Sequence, residues 1–104
     1  MEAANGPTTP EVNAVFKASD ITVIPDILSS AGGVVDSYFE WVQGLQHYFW
    51  QLSEVHDKLE RAMTNAFGEV LETSESWSVS LREAALILAV QRVTEAIKLR
   101  GVYP

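Results

Sequence analysis

Two turns of this chain carry the residue types best suited to hold a ligand. They are Asn5-Gly6-Pro7-Thr8-Thr9 and Ser30-Ala31-Gly32-Gly33. Each turn follows a predicted strand and precedes a predicted helix, and open α/β sheets bind their ligands at such strand-to-helix turns. Because the same residue types also stabilise ordinary turns, the pattern leaves two interpretations open, contact with a ligand and turn formation alone.

The other residues with chemical potential do not form a recognised enzyme site. His47 and His56 lie on different predicted helices without the spacing of a metal-binding pair, which predicts that both face solvent. The glycines fit neither G-x-G-x-x-G nor the P-loop, and the absence of cysteine excludes a disulfide and a thiolate nucleophile. The aromatic cluster from Tyr38 to Trp50 lacks the basic neighbours that base stacking requires, so it predicts packing in a core or an interface.

The first third of the chain predicts most of a βαβ unit. A short strand before Asn5 leads to a helix that Thr9 caps and that ends at about Ala18. The segment Ile21–Ile24 is β-branched throughout and ends at Pro25, which is typical of an inner parallel strand buried on both faces. The crossover between the two strands is expected to be right-handed.

The rest of the chain predicts three long helices, which begin at Val34, near Ser53 and at the capping box that Ser80 opens. Gly101 ends the third helix. The apolar run Ala84–Val90 predicts that most of the circumference of this helix is covered. One apolar stripe is expected on the first helix, made of Val34, Tyr38, Trp41, Val42, Leu45 and Phe49. The predicted fold is therefore α/β and predominantly helical, with one βαβ-type unit followed by three long helices.

The composition is that of one folded domain with an acidic surface. The 104 residues are 47% apolar and 20% charged, as in globular proteins. The net charge of −7 predicts no binding to nucleic acid or to an anionic membrane surface. No apolar run approaches the ~18 residues of a membrane span, and no signal peptide is recognisable, so the predicted compartment is the cytoplasm.

Several sequence blocks, taken in order, resemble the C-terminal part of glutamate dehydrogenases, in the glutamate/leucine/phenylalanine/valine dehydrogenase family. The similarity runs essentially from end to end of the chain. The blocks are Glu2–Glu11, Ile24–Leu28, Ala31–Val34, Ser37–Gln43, Leu81-Arg82 with Ala84-Ala85, and Ala89–Val93.

The resemblance implies that residues 1–33 end a Rossmann-like dinucleotide-binding domain and that residues 34–104 form a C-terminal helical segment. The family uses NAD or NADP to convert L-glutamate to 2-oxoglutarate and ammonia. Its catalytic lysine and aspartate and its glycine-rich cofactor turn have no counterpart in this chain, so the isolated chain is expected to be inactive and to bind dinucleotides weakly or not at all. The alternative is a non-catalytic helical module, derived from such an enzyme, that oligomerises or regulates.

The resemblance also implies roles for individual residues. Cofactor contacts fall on Asn5, next to the nicotinamide-side ribose, and on Gly32 and Gly33, where the backbone approaches the nicotinamide. Ser30, in the place of the family's asparagine, is a further cofactor position. Substrate contacts fall on Val34 and on Ser37, whose hydroxyl would donate to the distal carboxylate of glutamate. Asp36 replaces an apolar residue and would oppose an anionic substrate unless it faces away.

The apolar surface of the chain predicts association. Strands buried on both faces need neighbours, and three helices offer little cover for the aromatic cluster and for the apolar run of the last helix. A homo-oligomer is therefore expected, held mainly by Tyr38, Trp41, Phe49, Trp50 and Leu86.

Overall fold

The computed structural model describes residues 1–101, which fold into helices joined by short connections. The helices are α1 (Pro10–Ala18), α2 (Asp26–Ser29), α3 (Ala31–Gln46), α4 (Leu52–Trp77) and α5 (Leu81–Arg100). The long helix α4 packs between α3 and α5, and the short α2 contacts both α3 and α5. The last three residues of the predicted helical segment 34–104 lie outside the described residues.

The helix ends follow the local sequence chemistry. The Thr9 side chain accepts a hydrogen bond from the Val12 N–H at 3.4 Å, as predicted for the cap of α1. At α5, the Ser80 N–H donates to Glu83 at 2.9 Å and the Glu83 N–H donates to the Ser80 hydroxyl at 3.3 Å, which confirms the capping box. Helix α3 begins three residues before the predicted Val34, at Ala31.

The predicted βαβ unit is wrong, and with it the α/β fold class. Helices hold 74% of the described chain, and no strand is found among residues 1–101. The segment Ile21–Ile24 has no regular secondary structure, although its β-branched residues favour extended backbone. A strand requires a ladder of hydrogen bonds with a neighbour, whereas the backbone link to the start of the chain is the Glu2 N–H donating to the Ile24 carbonyl at 3.0 Å.

A small core joins α2, α4 and α5. It consists of Leu28, Val70, Leu81, Ala84 and Ala85. The expected cover of the run Ala84–Val90 is incomplete, because Leu86 is 49% exposed and Val90 is 64% exposed, whereas residues 87–89 are half-buried. Seven consecutive apolar residues lie around the whole circumference of α5, and α4 can contact only one side of α5.

The apolar stripe predicted on α3 faces solvent along most of its length. Val34, Tyr38, Trp41 and Leu45 are all exposed, and Phe49 lies beyond the end of α3. Val42, the remaining member of the stripe, is half-buried on the adjacent face with Phe39. Gln43 is the buried residue of this face. Its amide donates to the Phe39 carbonyl at 3.2 Å and accepts from the Trp50 N–H at 2.7 Å, which fixes the corner between α3 and α4.

The chain is extended for its length. Its radius of gyration is 16.6 Å, against about 13 Å for a compact chain of 100 residues. Its accessible surface is 7952 Å², against roughly 5,800 Å² for a compact monomer of this mass. No helix within residues 1–101 is long and apolar enough to cross a membrane.

Candidate functional site

Glu2 is the centre of a polar network that joins the two predicted turns. The residue is only 7% exposed. Its carboxylate accepts hydrogen bonds from the Thr8 hydroxyl at 2.7 Å and from the Asp26 N–H at 2.9 Å, and it pairs with the Arg82 guanidinium. A buried carboxylate with this many donors is fully satisfied, so the start of the chain is anchored to α2 and α5.

Asp26 is the second acidic residue of the network. Its carboxylate accepts the Gly6 N–H at 2.7 Å and pairs with Arg82 at 3.1 Å. Gly6 has a φ of 57°, a left-handed conformation that glycine adopts without a steric penalty. The hydrogen bond therefore holds the first turn against the N-terminal end of α2.

Hydrogen bonds to the ionised form lower the pKa of both carboxyls. For Glu2 the largest cause is the Thr8 hydroxyl, and the Asp26 N–H and Arg82 act in the same direction against burial. For Asp26 the largest cause is the Gly6 N–H, again with Arg82. Both groups are consequently negative at neutral pH and keep Arg82 between them.

The second turn is fixed to the same network through Ser30 and through Ser29, the last residue of α2. The Ser29 hydroxyl donates to the Glu2 carbonyl, and the Ser30 hydroxyl donates to the Asp26 carbonyl at 2.5 Å. The two turns that the sequence singled out are therefore held side by side.

Most of the predicted cofactor residues are exposed to solvent. Asn5, Ser30 and Gly33 are exposed, and Gly32 is half-buried. A Cβ added at Gly32 would meet the Met63 sulfur at 3.8 Å, an ordinary contact.

Gly33 has no structural explanation within the described chain. A Cβ added there would meet nothing within 4 Å, and its backbone is helical, without the positive φ that requires glycine. Glycine in the middle of a helix costs roughly 0.5–1 kcal/mol relative to alanine, which is an upper bound for Gly33 in the first turn of α3. The residue lowers the stability of α3 and leaves open space beside the second turn, as a site for a closely approaching ligand requires.

The predicted substrate residues lie one helical turn further along α3. Val34 is 72% exposed. The Ser37 hydroxyl donates to the Gly33 carbonyl at 2.9 Å, a local bond that a better acceptor can replace. Asp36 is exposed and is rotated by about 100° from Ser37 around the helix, so its carboxylate points in a different direction.

The Glu2–Asp26–Arg82 network was not predicted from the sequence, although one signal was present. Arg82 lies in the first turn of α5, where the helix dipole disfavours a positive charge. A cation in that position needs carboxylate partners, and Glu2 and Asp26 supply them from distant parts of the chain.

Two surface grooves flank the extended segment Ile21–Val23 and are separate from the predicted contact residues. Their volumes are about 650 Å³ and about 470 Å³. Neither groove is lined by Asn5, Ser30, Gly33 or Ser37. Within residues 1–101, no group of three or more acidic or histidine side chains is placed to hold a metal ion.

Comparison with known proteins gives consistent matches over the whole chain. The sequence profile of the glutamate/leucine/phenylalanine/valine dehydrogenase family matches residues 1–101. A glutamate dehydrogenase of Thermotoga maritima is 52% identical over 104 residues, which are 100% of this chain and 25% of that protein. An NAD-specific glutamate dehydrogenase of Clostridioides difficile is 52% identical over 102 residues, 98% of this chain and 24% of that protein.

A solved structure has the same backbone arrangement. It is a hetero-hexameric glutamate dehydrogenase from Thermus thermophilus in a leucine-bound form, and it superposes with a TM-score of 0.95 at 40% identity. The match covers 100% of this chain and 25% of that chain. The chain thus spans about a quarter of the length of the relatives that it matches.

Proposed function

The chain belongs to the glutamate/leucine/phenylalanine/valine dehydrogenase family, and we propose that it is part of an NAD(P)-dependent glutamate dehydrogenase. Such an enzyme converts L-glutamate to 2-oxoglutarate and ammonia. The observation that carries the proposal is the pair of linked turns, with open space beside Gly33. The names of the two bacterial relatives support glutamate as the substrate and, in one case, NAD as the cofactor.

We assign the cofactor contacts to the exposed side of the two turns. The Asn5 amide can both donate and accept, which suits a ribose hydroxyl. Gly33, with Gly32 beside it, lets the backbone approach the nicotinamide, and the space that a Cβ would fill is open. The Ser30 hydroxyl hydrogen already bonds the Asp26 carbonyl, so Ser30 offers its oxygen as an acceptor. The bound dinucleotide supplies the hydride acceptor.

We assign the contacts with the glutamate side chain to Val34 and Ser37. Their spacing of three residues on α3 places the two side chains on one face of the helix. Turned away from the Gly33 carbonyl, the hydroxyl can donate to the distal carboxylate of glutamate. A charged acceptor forms the stronger hydrogen bond, which favours this exchange of partners.

We assign the cofactor contacts to residues 1–33 and the substrate contacts to the segment that begins at residue 34. Helix α3, which starts at Ala31, crosses this boundary. The lysines are exposed on α1, α4 and α5, namely Lys17, Lys58 and Lys98, and none lies in the network around Glu2. The isolated chain is therefore predicted to lack activity. The cytoplasmic location stays a prediction.

A hybrid enzyme tests this proposal. The 104 residues replace the matching quarter of the Thermotoga maritima glutamate dehydrogenase, with which they share 52% identity. We expect the purified hybrid to reduce NAD or NADP with L-glutamate and to be slow with L-valine, and we expect the isolated 104-residue chain to be inactive. A folded hybrid of native size without glutamate-dependent reduction, or an active isolated chain, would contradict the proposal.

A second candidate function is association through the helical segment. It rests on the exposed stripe Val34, Tyr38, Trp41 and Leu45 on α3, together with Phe49, which is 78% exposed. A homo-oligomer would cover this apolar surface. The Thermus relative is described as hetero-hexameric, which supports assembly in general, and the two functions are compatible.

A further inference from the structure

We infer that Arg82 is a positioning residue that fixes the spacing of the two turns and thereby the cofactor contacts. The inference rests on the proposed function, because it concerns the same turns. Arg82 lies in the first turn of α5, and 80 residues separate it from Glu2 along the chain. A helix that supplies none of the assigned ligand contacts therefore sets the geometry of the site.

The Arg82 guanidinium bridges two carboxylates, each of which also holds backbone. Nη1 donates to Asp26 at 3.1 Å, and Nη2 donates to Glu2. The Asp26 carboxylate accepts the Gly6 N–H at 2.7 Å, and the Glu2 carboxylate accepts the Asp26 N–H at 2.9 Å. The first turn and α2 are thus bonded to groups that Arg82 holds together.

Removal of the guanidinium would leave two adjacent carboxylates without a cation. Like charges at such a site repel each other. The Asp26 side chain is 17% exposed and that of Glu2 is 6% exposed, so Asp26 can turn toward water more easily. The Gly6–Asp26 hydrogen bond is then the contact that opens, and Asn5 moves with Gly6.

The effect should be confined to the cofactor side of the site. Ser37 and Val34 are carried by α3, which contacts α2 but packs more extensively against α4 and is fixed there by the buried Gln43. A change at Arg82 therefore alters the binding of the cofactor more than the binding of glutamate. A general loss of folding stability would instead weaken the binding of the cofactor and of glutamate alike.

Lysine is the conservative variant and gives a graded result. A lysine ammonium keeps the positive charge but lacks the planar fork that reaches two carboxylates at once. Arg82→Lys should accordingly restore part of what Arg82→Met removes.

The chain offers a matched control on the same helix. Arg92 also pairs with a glutamate, Glu69, but both side chains are largely exposed, at 62% and 50%. Exposed pairs contribute little to stability, and this pair lies outside the network of the turns. Arg92→Met removes the same chemical group from α5 without touching the site.

Steady-state kinetics of the hybrid enzyme provide the first test. We expect Arg82→Met to raise the KM for NAD about tenfold or more, with a smaller change in the KM for glutamate, and Arg82→Lys to lie between it and the parent. Arg92→Met should match the parent. Equal losses for both substrates, or an unchanged KM for NAD in Arg82→Met, would overturn the inference.

The Gly6 amide of the full 104-residue chain provides a second test that does not depend on activity. In ¹⁵N-labelled chain, Arg82→Met should shift the Gly6 amide resonance and speed its hydrogen exchange, while the Gly68 amide on α4 stays unchanged. If the parent hybrid is inactive, only the proposed function is contradicted. If the resonance and the hydrogen exchange of the Gly6 amide are the same in Arg82→Met and the parent, only this inference is contradicted.

Discussion

At the scale of single residues, the informative positions are those whose identity the chain's own packing does not explain. Gly33 is helical, has no close neighbour and reduces helix stability, and Ser37 is an exposed serine bonded only to the turn before it. Arg82, in contrast, is explained by its two carboxylate partners. Residues of the first kind that lie at or next to the two turns are candidates for ligand contact, and those of the second kind for shaping the site.

Gly33→Ala should raise the folding stability of the protein and weaken its binding of NAD. In the isolated chain we expect a gain of up to about 1 kcal/mol in the free energy of unfolding, because alanine is the better helix former. In the hybrid enzyme we expect weaker NAD binding, because the new methyl group occupies the open space. Gly68→Ala, at an equally open position on α4, should stabilise the protein and leave binding alone. Urea unfolding and titration with NAD measure the two effects, and unimpaired binding in Gly33→Ala would contradict the assignment.

Ser37→Ala should weaken the use of glutamate by the hybrid enzyme. A hydrogen bond to a charged group contributes about 1.5–3 kcal/mol, which corresponds to a loss of roughly 10–150-fold in kcat/KM for glutamate. The KM for NAD should change little. Thr94→Val is the control, because the Thr94 hydroxyl makes the same kind of local bond on α5, to the Val90 carbonyl at 2.7 Å. Equal activity of the Ser37→Ala and Thr94→Val hybrids would show that the hydroxyl does not meet the substrate.

At the scale of secondary-structure elements, the polar network joins segments that a β-sheet was predicted to join. The start of the chain, α2 and α5 meet at Glu2, Asp26 and Arg82 rather than along a ladder of backbone hydrogen bonds. Because ionised side chains make these links, their strength depends on pH.

Stability is expected to fall in acid as Glu2 and Asp26 become protonated. Folding lowers both pKa values, so their contribution is complete above the ordinary values of 4.5 and 3.8 and is lost as the pH falls through the lower values of the folded state. Urea midpoints should be level near neutral pH and decline below about 4.5.

Glu2→Gln tests the assignment of this acid sensitivity. The variant should be less stable than the parent at neutral pH and should show a shallower decline in acid, because one of the titrating groups is gone. Glu69→Gln, at the exposed partner of Arg92, is the control and should follow the parent curve. Parallel acid profiles for Glu2→Gln and the parent would place the acid sensitivity elsewhere, for example at Glu83, whose pKa is lowered chiefly by the Ser80 N–H.

At the scale of the whole molecule, the chain leaves a large apolar surface uncovered. Most of the residues predicted to hold an oligomer are exposed, with Tyr38 at 56% and Trp41 at 60%, while Trp50 is half-buried against Phe39. Exposed apolar surface of this extent marks an interaction site or a tendency to aggregate.

Trp41→Glu should shift the isolated chain toward the monomer. A carboxylate on the stripe would have to be desolvated in a covered interface, which disfavours association. Sedimentation of the parent at micromolar concentration should show a dimer or larger species, and that of Trp41→Glu a species near 11.5 kDa. Trp77→Glu, at a position that is also 60% exposed but lies at the end of α4, should associate like the parent. A monomeric parent would disprove the predicted self-association.

The amino-acid sequence by itself determined the starts of α1 and α5, the end of α5 and the identity of the family. Thr9, Ser80 and Gly101 act on the backbone next to them, so their effects are readable from local sequence. The blocks from Glu2 to Val93 were specific enough to indicate the family that the comparisons confirmed.

Tertiary structure alone decided which surfaces are covered and what joins distant segments. The β-branched residues of Ile21–Ile24 favour extended backbone, but a strand also needs a partner along its length, and local sequence does not reveal whether one is present. The spacing of apolar residues along α3 predicted an apolar stripe, but the spacing does not show which part of the molecule covers the stripe. The ion pairs of Arg82 join residues that are 56 and 80 positions apart, and only folding brings such groups within hydrogen-bond distance.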